Sequence, residues 1–215
     1  MTYIENVFFC LAAPLLVAVL CADGARRRPL LFMLSGMVAC LFSSYISSFL
    51  VMAYETNAQV AAVEITPIVE ETMKMFPLLF FLLVFEPPRQ AAAVESIMVA
   101  VGFATLENAC YLIVNGADNV LRLLIRGFST GAMHVACGAI TALGLSGLWD
   151  KLYLRVAGTL GALCLAFTWH AIYNILVAQT GPVAVAGYAL PILTGAVTVM
   201  IRRRLLPPSA AGKTV

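Results

Sequence analysis

Charge is scarce in this sequence. Only 11% of its 215 residues are Asp, Glu, Lys or Arg, and only two are histidine. A soluble domain carries about 25% charged residues and about 45–50% apolar ones, whereas here 62% are hydrophobic. That shortage excludes a surface able to cover the chain in water and implies an integral membrane protein. The net charge of +2 says little about partners, and no nucleic-acid partner is expected. The six cysteines (Cys10, Cys21, Cys40, Cys110, Cys137, Cys164) form no CxxC pair and sit in or beside apolar runs. They read as small buried hydrophobes, not as a disulfide framework or metal cluster. The opening MTYIENVFFCLAAPLLVAVLCA has no basic stretch before its apolar run, so it reads as a first span and not as a cleaved leader. No internal repeat and no soluble domain is evident.

Long apolar runs are what the chain does have. Segments able to cross about 30 Å of hydrocarbon fall at 6–22, 30–53, 67–85, 91–114, 121–148, 156–178 and 182–201. The pattern predicts an all-α, polytopic bundle of about seven transmembrane helices, a single domain over residues 1–205. Residues 206–215 read as a flexible cytoplasmic tail. The longest connection, about 54–66, is a place for a short interfacial helix. Arg26, Arg27, Arg28, Arg89, Lys151, Arg155, Arg202, Arg203, Arg204 and Lys213 share one side of a seven-span arrangement. Arg122 and Arg126 lie on the other. Basic residues concentrate on the cytoplasmic side, so the N-terminus is expected outside and the C-terminus in the cytoplasm.

Inside these spans a few costly groups stand out. Each ionisable residue at a bilayer centre costs about 2.5–3.5 kcal/mol on insertion scales, yet PIVEETMKMFP holds Glu70, Glu71 and Lys74. The fourth span adds Glu107 and Asn108, the fifth Arg126 and His134, and the sixth His170 and Asn174. Residues four apart share a helix face, which groups His170 with Asn174, Arg126 with Thr130 and His134, and Glu70 with Lys74. Adjacent Glu70 and Glu71 diverge by about 100°, so one is expected to face the site while the other is held by a donor. Glu95 and Glu86 read as headgroup-facing, and Arg126 as an interface anchor within reach of the site. Carboxylates and imidazoles from four helices at one level predict a buried polar pocket.

That set of groups suits hydrolysis of an amide by activated water, with a buried glutamate as general base. Glu107, His134 and His170 alternatively suit a zinc site with an open position for water, leaving Glu70 or Glu71 as the base. Asn174 is placed to donate to a developing oxyanion. Lys74, Asn108 and Arg126 read as support. A proton-coupled small-solute transporter built on the same buried Glu, His and Lys cluster is the alternative.

The residues also resemble a known family. EETMK (70–74) is similar to the EExxK motif of the PrsW-type intramembrane proteases, and FATLEN (103–108) to their FxxxEN element. His134 stands where their isolated histidine does, and HAIYN (170–174) resembles their HxxxN motif. The likeness covers about 64–178. The related CAAX prenyl-proteases and bacteriocin-processing proteases place a histidine where this chain has Glu107. The resemblance implies a membrane-embedded protease with Glu70, Glu71, Glu107, His134 and His170 as functional residues. It implies a substrate that is a transmembrane or membrane-anchored protein, such as an anti-sigma factor, and a home in the bacterial cytoplasmic membrane.

Overall fold

A computed structural model describes residues 4–87, 89–116, 119–147 and 152–205, with side chains left out at 89–90, 146–147 and 197–205. The expectations made for Arg89, Lys151, Arg202, Arg203, Arg204, Lys213 and the tail 206–215 therefore lie outside the described side chains. Among the described residues eight helices follow one another: α1 (Ile4–Cys21), α2 (Gly24–Ala53), α3 (Ala58–Glu64), α4 (Thr66–Phe85), α5 (Arg89–Asn115), α6 (Val120–Gly147), α7 (Leu152–Val177) and α8 (Pro182–Leu205). No strand occurs among the described residues.

Among the described residues five helices are long and apolar enough to cross a membrane: α1, α2, α5 from Ala91, α6 to Leu145, and α7. The two other expected spans map onto α4, which carries Glu70, Glu71 and Lys74, and α8, whose described apolar part is Pro182–Ala196. The short helix expected in the longest connection is α3. Asn57 starts it, its Oδ1 accepting from the backbone N–H groups of Gln59 (3.0 Å) and Val60 (2.9 Å), as an N-cap does. One boundary differs from expectation. The stretch ADGARRRP reads as a connection, but α2 already begins at Gly24 and runs through Pro29. Arginine is a good helix former, and α2 carries Pro29 in its second turn, giving up the hydrogen bond to the Ala25 carbonyl there.

The bundle is organised around α5 and α6. α5 packs on α2 and α6, α6 packs on α7 and α8, and α4 lies against α2, α5 and α7. Hydrophobic burial does not drive helices together in lipid, so close backbone approach and cross-helix hydrogen bonds must do it. Gly36 and Gly102 supply that approach between α2 and α5. A Cβ on Gly36 would run into the Val99 carbonyl, and one on Gly102 into that of Met33. Ser96 bridges α5 to α6 by donating to the Gly138 carbonyl at 2.6 Å. Replacing Gly102 with leucine should therefore push α2 off α5 and cost at least about 2–3 kcal/mol, read as a lower melting temperature in detergent. An unchanged melt would remove this account of the α2–α5 contact.

The two ends of the bundle differ. At one, Arg28 from the start of α2 binds Glu95 from the start of α5 (Nε to Oε1, 2.7 Å). Glu95 is 1% exposed, which corrects the headgroup-facing expectation: its carboxylate turns inward because a cation from the neighbouring helix meets it there. The other end gathers the start of α4, the end of α5, the start of α6 and the end of α7.

Candidate active site

The α4 helix opens TPIVEETMK, with Pro67 in its first turn where a missing N–H costs nothing. Glu71 and Lys74 then fall on the inward face, 2% and 5% exposed. Lys74 Nζ donates to Glu71 Oε1 at 2.6 Å and to His134 Nδ1 on α6 at 2.9 Å. It also lies 4.8 Å from the centre of the fully buried Phe103 ring, a cation–π contact. Sequence spacing pairs Lys74 with Glu70, four residues away. The structure pairs it with Glu71, three away, because α4 is turned so that this acid and the lysine both face α5–α7.

The outcome is a relay with assignable protons. A lysine ammonium has only donors, so His134 Nδ1 accepts and the ring proton sits on Nε2. That N–H donates to Glu107 Oε2 on α5 at 2.5 Å. Glu71 Oε1 accepts in turn from His170 Nδ1 on α7 at 2.8 Å. The His170 lone pair is thereby left on Nε2, which lies 3.8 Å from Glu70 Oε2. The two imidazoles meet edge to face with centres 5.2 Å apart. Glu70 itself differs from its neighbour. Its Oε2 is buried and has no hydrogen-bond partner.

Glu70, Glu107 and His170 share a small cavity of about 100 Å³, also lined by Thr66, Arg126 and Tyr173. At about 30 Å³ per water, it has room for roughly three. Helix rise places the group well inside the bundle: Glu70 lies about 6 Å, His170 about 10 Å and Glu107 about 12 Å from the nearest ends of their helices. Four helices thus bring Glu70, Glu71, Glu107, His134 and His170 together.

The supporting residues are placed less as their spacing suggests. Arg126 is not an interface anchor. It donates to Asn108 Oδ1 (2.6 Å) and Glu107 Oε1 (3.2 Å), and its guanidinium stacks 3.5 Å over Tyr111. Asn174 does share the His170 region of α7, but its Nδ2 donates to the Ala62 carbonyl of α3 at 2.7 Å, where an oxyanion donor was expected. The α3 helix had no part in the spacing argument, so nothing local revealed this bond. Cys137 is fully buried, with its thiol on the Ala166 carbonyl at 3.4 Å, which makes it a packing residue. Three residues were missed. Tyr173 bonds Thr130 at 2.9 Å, Phe103 packs on the His134 ring with centres 5.1 Å apart, and Tyr188 of α8 reaches the cavity wall. The first two sit inside HAIYN and FATLEN. Tyr188 carries no local signal.

This geometry gathers three carboxylates, two imidazoles and a lysine inside a helical bundle, and a family model matches the chain that carries it. The model for PrsW family intramembrane metalloproteases matches residues 26–201. The chain belongs to the PrsW family. No curated protein and no solved structure matches it.

PrsW membership makes this an integral membrane protease that acts on membrane proteins in the bilayer, and it implies a metal ion. The residues present fit one. Glu70, His134 and His170 each bring a ligand atom within 4.8 Å of the others. Two imidazoles and one carboxylate are a donor set of catalytic zinc sites. The sequence reading puts Glu107 in this trio, whereas the structure groups Glu70 with the two histidines. His170 is ready for ligation, because the Glu71 carboxylate fixes its Nδ1 proton and leaves Nε2 free. His134 is not, since its Nε2 proton points at Glu107. Ligation there requires the Lys74–His134 pair to release one proton, as metal binding commonly does.

Proposed function

We propose that this chain is an endopeptidase that cuts a transmembrane or membrane-anchored protein at the α3 end of the bundle, using water held in the cavity beside Glu70. In this reading α4 and α8 complete seven spans, and the arginine-rich end faces the cytoplasm. The cavity then opens on the outer side, at the depth where a single-pass regulator such as an anti-sigma factor leaves the bilayer.

The observation that carries this reading is the unpartnered Glu70 Oε2 facing a histidine whose tautomer a second glutamate has set. Glu70 takes the proton from water as general base. His170, held by Glu71, receives that proton and delivers it to the departing amine. The Arg126 guanidinium, on the cavity wall, supplies positive charge where it builds on the carbonyl oxygen, and the His134 N–H holds Glu107 in place. Lys74 keeps Glu71 and His134 in register. Asn174 positions α3 against α7, and Asn108 orients Arg126.

Glu70, His134 and His170 are the residues that would hold a metal ion, which supplies Lewis-acid activation of water or carbonyl when bound. With Glu70 so engaged, Glu107 is the carboxylate left beside the cavity to accept a proton. Metal analysis separates these two uses of the same residues. Purified protein should carry about one divalent ion per chain, lost in His170→Ala, and a chelator should stop cleavage until zinc is returned. Metal-free, chelator-resistant cleavage would assign the reaction to Glu70 acting directly.

A further inference from the structure

A second cavity lies at the opposite end from the proposed site. About 640 Å³ in volume, it opens between α2 and α4 and is walled by Leu31, Phe32, Ser35, Pro77, Phe80 and Phe81. Its floor is aromatic: Phe81 is buried and packs edge to face on Phe32, with centres 5.0 Å apart. Leu31, Phe80 and Phe85 at the rim are exposed, so the cleft faces sideways into the hydrocarbon. Arg28 and Glu86 stand at its polar mouth.

Charge at that mouth is mixed, with Asp23 and Glu86 beside the arginines. Arg26, Arg27 and Arg28 occupy the beginning of α2, which has no acid in its first turn. Cations there oppose the positive end of the helix dipole. Arg28 engages Glu95 through Nε, yet 49% of its side chain remains exposed. Arg26 and Arg27 are exposed too. The 30 residues of α2 measure about 45 Å against about 30 Å of hydrocarbon, which sets this end at headgroup level.

We infer that the α2–α4 cleft is a binding site for one anionic glycerophospholipid, its acyl chain on the phenylalanine floor and its phosphodiester on Arg26 and Arg27. The cleft does not enclose a whole spanning helix. A spanning helix about 10 Å across and about 30 Å long fills roughly 2,400 Å³, several times the cavity. Arg28 is paired with Glu95, and the exposed Arg26 and Arg27, beside Asp23 and Glu86, are the guanidiniums left to meet an anionic headgroup. Pro77, one turn beyond Lys74, forms part of the wall, so a bound chain braces the helix that carries Glu70, Glu71 and Lys74. The inference rests on the fold and stands whether or not the proteolytic reading does.

Native mass spectrometry of the full chain, delipidated and titrated with phosphatidylglycerol or phosphatidylcholine, tests it. One phosphatidylglycerol should be retained at energies that strip phosphatidylcholine. Its retention should fall about fivefold for each arginine removed in the exposed Arg26→Gln and Arg27→Gln variants. Ser35→Phe, which fills the cleft and leaves every arginine in place, should abolish the adduct. Equal retention of both lipids would overturn the headgroup assignment. An adduct that survives Ser35→Phe would overturn the site. Stoichiometric displacement of the lipid by a synthetic single-span peptide would overturn the occupant, making the cleft a substrate entrance instead.

Discussion

Glu70→Gln should lower kcat/KM for a membrane-anchored substrate in proteoliposomes by at least about 1,000-fold, within the range ascribed to a general base. The change is nearly isosteric and removes only the ability to take a proton or bind a cation firmly. Because Glu70 Oε2 has no hydrogen-bond partner, the amide orphans nothing. The Glu71–Lys74–His134 chain and the Glu71–His170 contact stay in place. The melting temperature should accordingly change by little, which separates loss of chemistry from loss of fold. Cleavage within tenfold of the wild type, at equal expression, would end the role given to Glu70 in both the metal and the metal-free route.

Lys74→Met should have the opposite signature, a large loss of stability. Its ammonium is the cation that compensates Glu71, and both side chains are almost wholly buried. Removing one partner of a buried ion pair leaves an uncompensated charge, at a cost of about 3–5 kcal/mol. His134 Nδ1 loses its donor at the same time. Folded yield and melting temperature in detergent should both drop sharply. The double variant Lys74→Met with Glu71→Gln should recover most of the stability, since it removes the stranded charge and keeps a hydrogen-bonding group for His170. It should not recover cleavage, because His170 loses the carboxylate that fixes its tautomer. If the double variant were no more stable than the single, the pairing described for Lys74 would be wrong.

These two outcomes separate functions that look alike in sequence. EETMK presents two adjacent glutamates with nothing local to say which is free. The i,i+4 rule, sound for an isolated helix surface, selects Glu70 as the partner of Lys74. Burial reverses that choice. A lysine inside a bundle takes the acid that faces the same neighbours, even one residue nearer in sequence. The same reversal appears at Glu95, which reads as a headgroup-facing acid and is instead held inward by Arg28, and at Asn174, whose partner Ala62 belongs to a helix outside every recognised motif.

What the amino-acid order determined by itself was the membrane setting, the apolar helices and the level at which the ionisable groups gather. Those features depend on hydropathy along one dimension, and the cost of a charge in lipid makes them hard to misread. Only the tertiary structure decided the pairings: Lys74 with Glu71, His134 with Glu107, and Glu70 with Oε2 left unpartnered. Each depends on how far a helix is rotated about its axis, and that rotation is set by contacts with other helices, such as Gly36 and Gly102 between α2 and α5. No stretch of sequence contains that angle, because it is a property of the packed bundle.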